Sequence, residues 1–224
     1  VQTIIRLHEA PDRDKLQGLM DFLPALDLKF TLSERVTPKR FNHLLKQAED
    51  KDLSETVGMA VLRSQSQAYY GADGSGHFGL NLRHYAHFTS PIRRYADLVV
   101  HRALIKTFSL GDDGTSEREA VRLQEIGEHI STTERRAMAA ERDAKDRYIA
   151  AYMEGNVGAE FHARISGVTN FGLFLTLDET GADGLVPIRT LGRERFHFDE
   201  KAKKLVGEET GDTFAFGRRV LVRL

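Results

Sequence analysis

HYAHFTSPIRRYADLVVHRAL, residues 84–104, sets aromatics and histidines ahead of a Thr-Ser-Pro corner and an amphipathic run. Ser90 followed by Pro91 has the form of a helix N-cap with proline at the first helical position, where its missing N–H costs nothing. Ile92, Tyr95, Ala96, Val99, Ala103 and Leu104 recur at helical spacing and predict one buried face. Arg93 and Arg94 then fall in the first turn, where the helix dipole disfavours cations and favours anions. A phosphate docked at that corner would account for both guanidinium groups. On spacing alone a second account is equally good: Arg93 pairs with Asp97 four residues on, and Arg94 is solvated.

The wording of HFTSPIRRYADLVVHRAL resembles the signature of the RNB exoribonuclease family, the group of ribonuclease II and ribonuclease R. The preceding AYYGADGSGHFGLNLRHYA is similar to the same family, particularly to its ribonuclease R branch. The resemblance implies processive 3′-to-5′ hydrolysis of single-stranded RNA to nucleoside 5′-monophosphates, with divalent metal (Mg2+) held by an aspartate cluster.

Composition neither demands nor forbids this. The 224 residues are 41% hydrophobic and 29% charged, an ordinary globular balance. There is no cysteine, which excludes disulfides and thiolate zinc sites and fits a reducing compartment; cytoplasm is the default. No apolar run approaches a membrane span, and no protein partner is evident. The formal net charge of -1 lacks the basic excess of most nucleic-acid binders, so an RNA-binding chain of this balance needs its cations gathered on one wall. The chain opens in a strand-like VQTIIRLH and stops within an apolar alternation, which predicts a piece of a longer polypeptide.

From Pro11 a helical run carries Leu16, Leu19, Met20 and Phe22 on one face, and Pro24 ends or kinks it. Two further helices are predicted after Thr37-Pro38 and from Ser54. GADGSG (71–76) is turn chemistry, and HFGLNL (77–82) reads as a strand. The adjacent Asp112 and Asp113 lie in a Gly-rich turn, where acidic pairs are ordinarily solvated. One long helix is predicted from Ser116 to about Met153, with a buried stripe of Leu123, Ile126, Ile130, Thr133, Ala137, Glu141, Ala144 and Tyr148. A carboxylate on a buried stripe needs a partner or a function. A salt bridge to Arg93 or Arg136 is one account of Glu141. The other is a group that holds the phosphate-binding arginine or a water near the scissile bond; the segment AAERDAKD resembles an active-site segment of the RNB family, which implies a place at the active site for Glu141.

Beyond Asn156 the pattern changes to short alternating strands separated by turn residues, a small-barrel pattern. ARISGVTNFGLFLTL…DGLVPIRTL resembles an S1-type RNA-binding domain, an OB-fold barrel, from about Gly158 onward. Phe171 and Phe174 stand where that family stacks bases, and filling the barrel core is the competing use. Pro187 replaces the histidine many S1-type domains carry, and the barrel as written is one strand short.

The expected architecture is therefore α+β: residues 1–155 as the helix-rich C-terminal part of an RNB catalytic domain, and 156–224 as an incomplete S1-type OB-fold barrel. Arg93 is the expected phosphate clamp and Glu141 its catalytic companion. Ser90, Arg94 and Tyr95 are expected around the RNA, with Tyr95 and Asp97 also orienting the arginines, and Phe171 and Phe174 in the barrel. No metal-ligand loop is legible, so the Mg2+-binding aspartates of the parent enzyme are expected upstream. The alternatives are a non-catalytic module that binds single-stranded RNA, and, more weakly, a zinc hydrolase built on His84, His87 and His101.

Overall fold

The computed structural model describes residues 1–31, 36–51, 53–200 and 202–224, with the Ala25 side chain left aside. The fold is α+β. Two compact units emerge, one of Val1–Lys15, Leu32–Asn42 and Ser64–Ala140, the other of Leu16–Thr31, His43–Arg63 and Glu141–Leu224.

In the first unit, β1 (Ile5–Leu7) pairs antiparallel with β2 (Tyr69–Gly71), placing Arg6 opposite Tyr70. Ile4, Tyr70, Ala96, Val99 and Leu123 form its core, with Ile126 and Ile130 packed against them. Ala96 and Val99 come from α4 (Tyr95–Phe108), whose buried stripe also includes Ala103. Leu123, Ile126 and Ile130 come from the first turns of α6 (Leu123–Glu154). Gly127 lets this helix approach β2 closely, because a Cβ there would lie 2.7 Å from the Tyr70 carbonyl oxygen. Ser131 completes the join by accepting from the Tyr70 N–H at 2.8 Å.

In the second unit, β3 (Glu160–Thr169), β4 (Gly172–Leu177), β5 (Asp183–Pro187) and β9 (Arg219–Arg223) make one antiparallel sheet in the order β5-β4-β3-β9. Leu173, Leu175 and Leu177 of β4 alternate inward onto Ile165 and Ala163, with Leu205 and Met153 in the same core. Leu205 belongs to a second sheet, β6 (Phe196–Asp199), β7 (Lys204–Gly207) and β8 (Thr213–Ala215), which the sequence pattern did not announce.

The remaining helices are α1 (Arg13–Phe22), α2 (Pro38–Glu49), α3 (Ser54–Ser64) and the single turn α5 (Glu117–Ala120). Pro24 does end α1, inside a 3-10 turn over Leu23–Leu26. Three expectations need correction. HFGLNL is no strand: Phe78–Leu80 is a 3-10 turn, because the His77 side chain accepts from the Leu80 N–H and Asn81 takes a left-handed conformation. The helix predicted from Ser116 is broken. Ser116 and Glu119 close a capping box on α5, and α6 starts afresh at Leu123. Its buried stripe stops after Thr133. Ala137, Glu141, Ala144 and Tyr148 are exposed, since no described residue covers that side of the helix there.

Candidate nucleic-acid interface

The Thr-Ser-Pro corner is a turn and not yet a helix. The N–H groups of Arg93 and Arg94 both donate to the Ser90 carbonyl, at 3.3 and 3.1 Å, and α4 begins only at Tyr95. Ser90 is therefore not the N-cap; Arg94 occupies that position without a side-chain cap. Ile92 projects from the turn fully exposed and takes no part in the buried face predicted for it.

Asp97 explains the shape of the turn. Its carboxylate is 0% exposed, and it accepts a fork from Arg94, Nε to Oδ1 at 2.9 Å and a terminal nitrogen to Oδ2 at 3.0 Å. The same carboxylate accepts from the Ser90 N–H at 2.6 Å. Burial on its own would raise the Asp97 carboxyl, but the Arg94 fork and the Ser90 N–H outweigh it and hold the group below the ordinary carboxylate range. The anion that the helix N-terminus favours is thus supplied by the protein itself. The pairing expected between Arg93 and Asp97 belongs to Arg94.

Arg93 is what remains for a ligand. It is exposed, and its guanidinium makes no ion pair among the described residues. Its backbone is fixed by the turn that Asp97 and Arg94 lock. Tyr95, 50% exposed, stands two residues on. A fixed turn that presents one free guanidinium can take a phosphate with charge-assisted, bidentate hydrogen bonds.

Glu141 is exposed on α6, which removes the burial argument for it. Two turns earlier on α6, Glu134 is ion-paired to Arg6 at 2.7 Å within the first unit. Sequence reasoning passed over Glu134, Arg6 and Tyr70, and weighed His87 only as a metal ligand. Their signal was weak: Tyr70 and His87 flank a Gly-rich turn, and Glu134 lies one position off the predicted stripe. His87 and His101 engage the Tyr70 hydroxyl and the Phe88 carbonyl, each at 2.8 Å, which leaves the zinc reading without geometry. Among the described residues no group of three or more His, Cys, Asp or Glu could hold a metal ion, so the side chains present do not fit a two-metal centre.

The second unit carries the aromatic pair. Phe171 and Phe174 are 52% and 42% exposed, with ring centroids 6.0 Å apart and planes nearly perpendicular. Phe174 points outward because Leu173 and Leu175 on either side point into the core. Phe171 would face the other way on a regular strand, yet it sits in the turn before Gly172, whose φ of 155° swings the chain around. A Cβ at Gly172 would collide with the Val186 carbonyl, so the close β4–β5 pairing here requires glycine. In the pairing with β3 the register shifts between Ile165 and Gly167, a bulge in that strand. Beside Phe174 a cleft of 760 Å3 is lined by Arg63, Arg164 and Phe216, among others. Arg63 donates to the Ser166 carbonyl and Arg164 pairs with Glu55, both at 2.8 Å.

An unpaired guanidinium on a fixed turn of the first unit can hold a phosphate, and the exposed phenylalanines of the second unit can stack bases. Residues 1–109 match the family model described as RNB domain, and residues 154–211 that described as S1 RNA binding domain. The chain belongs to the RNB family and carries an S1-type domain. It is 42% identical over 98% of its length to Ribonuclease R of Aquifex aeolicus, of which it covers 31%. Structures of Mycoplasma genitalium RNase R, as the apo form and in complex with ribose methylated single-stranded RNA, both superpose with a TM-score of 0.86 at 30% identity. Each comparison covers all of this chain and 36% of the Mycoplasma protein. The chain thus spans about a third of the length of the relatives it matches.

Proposed function

We propose that this chain is the phosphate-holding and RNA-guiding part of a 3′-to-5′ exoribonuclease that hydrolyses single-stranded RNA to nucleoside 5′-monophosphates. The observation that carries the proposal is the locked turn: Asp97 takes Arg94, and Arg93 is left free on a fixed backbone. Arg93 clamps the scissile or adjacent phosphate, Ser90, Arg94 and Tyr95 shape the approach, and Glu141 acts from α6. Phe171 and Phe174 stack bases. The RNA complex of the Mycoplasma relative supports single-stranded RNA as the ligand. The aspartates that would hold Mg2+ are proposed to lie in a part of the parent enzyme outside this chain, which spans 31% of its Aquifex relative. Functionally we draw the boundary between 155 and 156, supported by the end of α6 at Glu154 and the start of β3 at Glu160. No helix among the described residues is long and apolar enough to cross a membrane, and the absence of cysteine supports a cytoplasmic site of action.

In a polypeptide that includes those aspartates, Arg93→Ala should lower turnover by about 100-fold, as loss of one preorganised charge-stabilising donor does. RNA affinity should fall by no more than about tenfold. Unchanged turnover would remove Arg93 from the clamp. The second reading, binding without hydrolysis, applies to this chain by itself and is favoured by the exposed phenylalanine pair. Labelled single-stranded RNA incubated with this chain and magnesium should be bound and not shortened; progressive shortening refutes it.

A further inference from the structure

The segment from Tyr85 to Ser90 leads into the turn that presents Arg93, and no residue of it lies in a helix or strand. It is pinned from outside. The Tyr85 carbonyl accepts from the Arg6 N–H at 2.7 Å, and the Phe88 carbonyl lies 2.8 Å from His101 Nε2. The Ser90 N–H reaches Asp97. All of these hold the backbone of the segment. A further hydrogen bond joins two side chains, His87 Nδ1 and the Tyr70 hydroxyl, at 2.8 Å.

That pair is the middle of a polar group built from four elements of the first unit. The Arg6 guanidinium on β1 lies over the Tyr70 ring, 4.4 Å from its centroid, and pairs with Glu134 on α6. The Tyr85 ring meets His87 edge-on at 5.6 Å. Arg94 and Asp97 act on His87 from the turn and from α4. Burial, then Arg94, then Arg6 lower the affinity of His87 for a proton, against smaller opposing effects of Asp97 and Glu134. The imidazole therefore stays neutral at neutral pH, with one ring nitrogen able to accept from the tyrosine hydroxyl.

We infer that Tyr70 and His87 are positioning residues for the phosphate-holding turn, their hydrogen bond fixing the 85–90 segment so that Arg93 meets the phosphate in one orientation. The inference rests on the reading of Arg93 as the clamp. Protonation of His87 puts a third cation beside Arg6 and Arg94 and, in the tautomer whose Nδ1 accepts from the Tyr70 hydroxyl, removes that acceptor. RNA affinity should then fall as the pH is lowered through the titration of His87. Positive charge added at the exposed surface would act the other way, since it strengthens binding to RNA.

The test is a double-mutant cycle on this chain with a fluorescein-labelled oligouridylate, measured from about pH 5.5 to about pH 7.5. At the upper pH, Arg93→Ala and Tyr70→Phe should each weaken binding by about three- to tenfold, and the double variant by little more than either. His87→Asn, which keeps an acceptor near the Nδ1 position and cannot titrate, should bind as the parent does and lose the fall in affinity at low pH. A loss in Arg93→Ala with none in Tyr70→Phe, full additivity of the two, or an acid response that persists in His87→Asn overturns the inference. An unchanged affinity in Arg93→Ala overturns the clamp reading itself, so the two failures are told apart.

Discussion

Asp97 and Arg94 show how a residue pair with no direct role in chemistry can shape a site. The carboxylate is wholly buried, while the Arg94 side chain is 21% exposed, so the pair is desolvated mainly on the acid side. Breaking such a pair by removing one partner typically costs about 3–5 kcal/mol, because it strands a buried charge. Arg94→Ala should therefore destabilise the first unit by about that much at neutral pH, read by urea denaturation. In the parent the folded carboxyl titrates below its unfolded value of about 3.9. Its contribution is present above that pH and is lost as the pH falls through the folded pKa. In Arg94→Ala burial dominates, the carboxyl moves above its unfolded value, and the variant should lose stability as the pH rises from about 4 to about 7. A loss independent of pH would mean that Asp97 is not the group left uncompensated. The two arginines of the SPIRRY run were legible as an anion site in the sequence; their division of labour was not. Spacing allows Asp97 to pair with either, and only the turn over Ser90–Arg94 directs the second guanidinium inward.

At the level of elements, α6 has two characters along one helix. Its first turns are packed so closely on β2 that Gly127→Ala should destabilise the first unit by about 1–3 kcal/mol, although alanine favours helix more than glycine does. Glu141→Ala, on the exposed stretch, should leave stability within about 0.5 kcal/mol of the parent in thermal melts. It should slow hydrolysis in the aspartate-bearing polypeptide; wild-type rates there would end its catalytic assignment. Helical periodicity cannot see this difference. It reports which residues share a face, and burial of that face depends on what the chain brings against it. The aromatic pair of the S1-type domain is the opposite case. Family wording placed Phe171 and Phe174 on the RNA side, and their exposure agrees with a surface role. Alanine at either position should weaken single-stranded RNA binding by about 1–3 kcal/mol with little loss of stability. Leu175→Ala on the inner face of the same sheet should cost about 2–5 kcal/mol of stability instead. Titration of labelled RNA alongside melting curves separates the two effects.

For the whole molecule, a net charge of -1 means that the proposed RNA binding rests on a few local groups and not on a general field. Removing one phosphate-binding cation should lower the slope of log affinity against log salt by about 0.7 for a single strand. Arg93→Ala should show one such step, and Phe174→Ala none, in a salt titration; equal slopes in parent and Arg93→Ala would mean that Arg93 touches no phosphate.

The sequence by itself determined the family, the α+β class, and the residue types at both candidate surfaces, because long motifs and strand alternation are written in local order. Tertiary structure decided which of these residues are free to act. It gave Arg94 to Asp97 and left Arg93 exposed, stopped the buried stripe of α6 before Glu141, and joined His87 to Tyr70. Those outcomes depend on desolvation and on partners distant in sequence, which residue spacing does not encode.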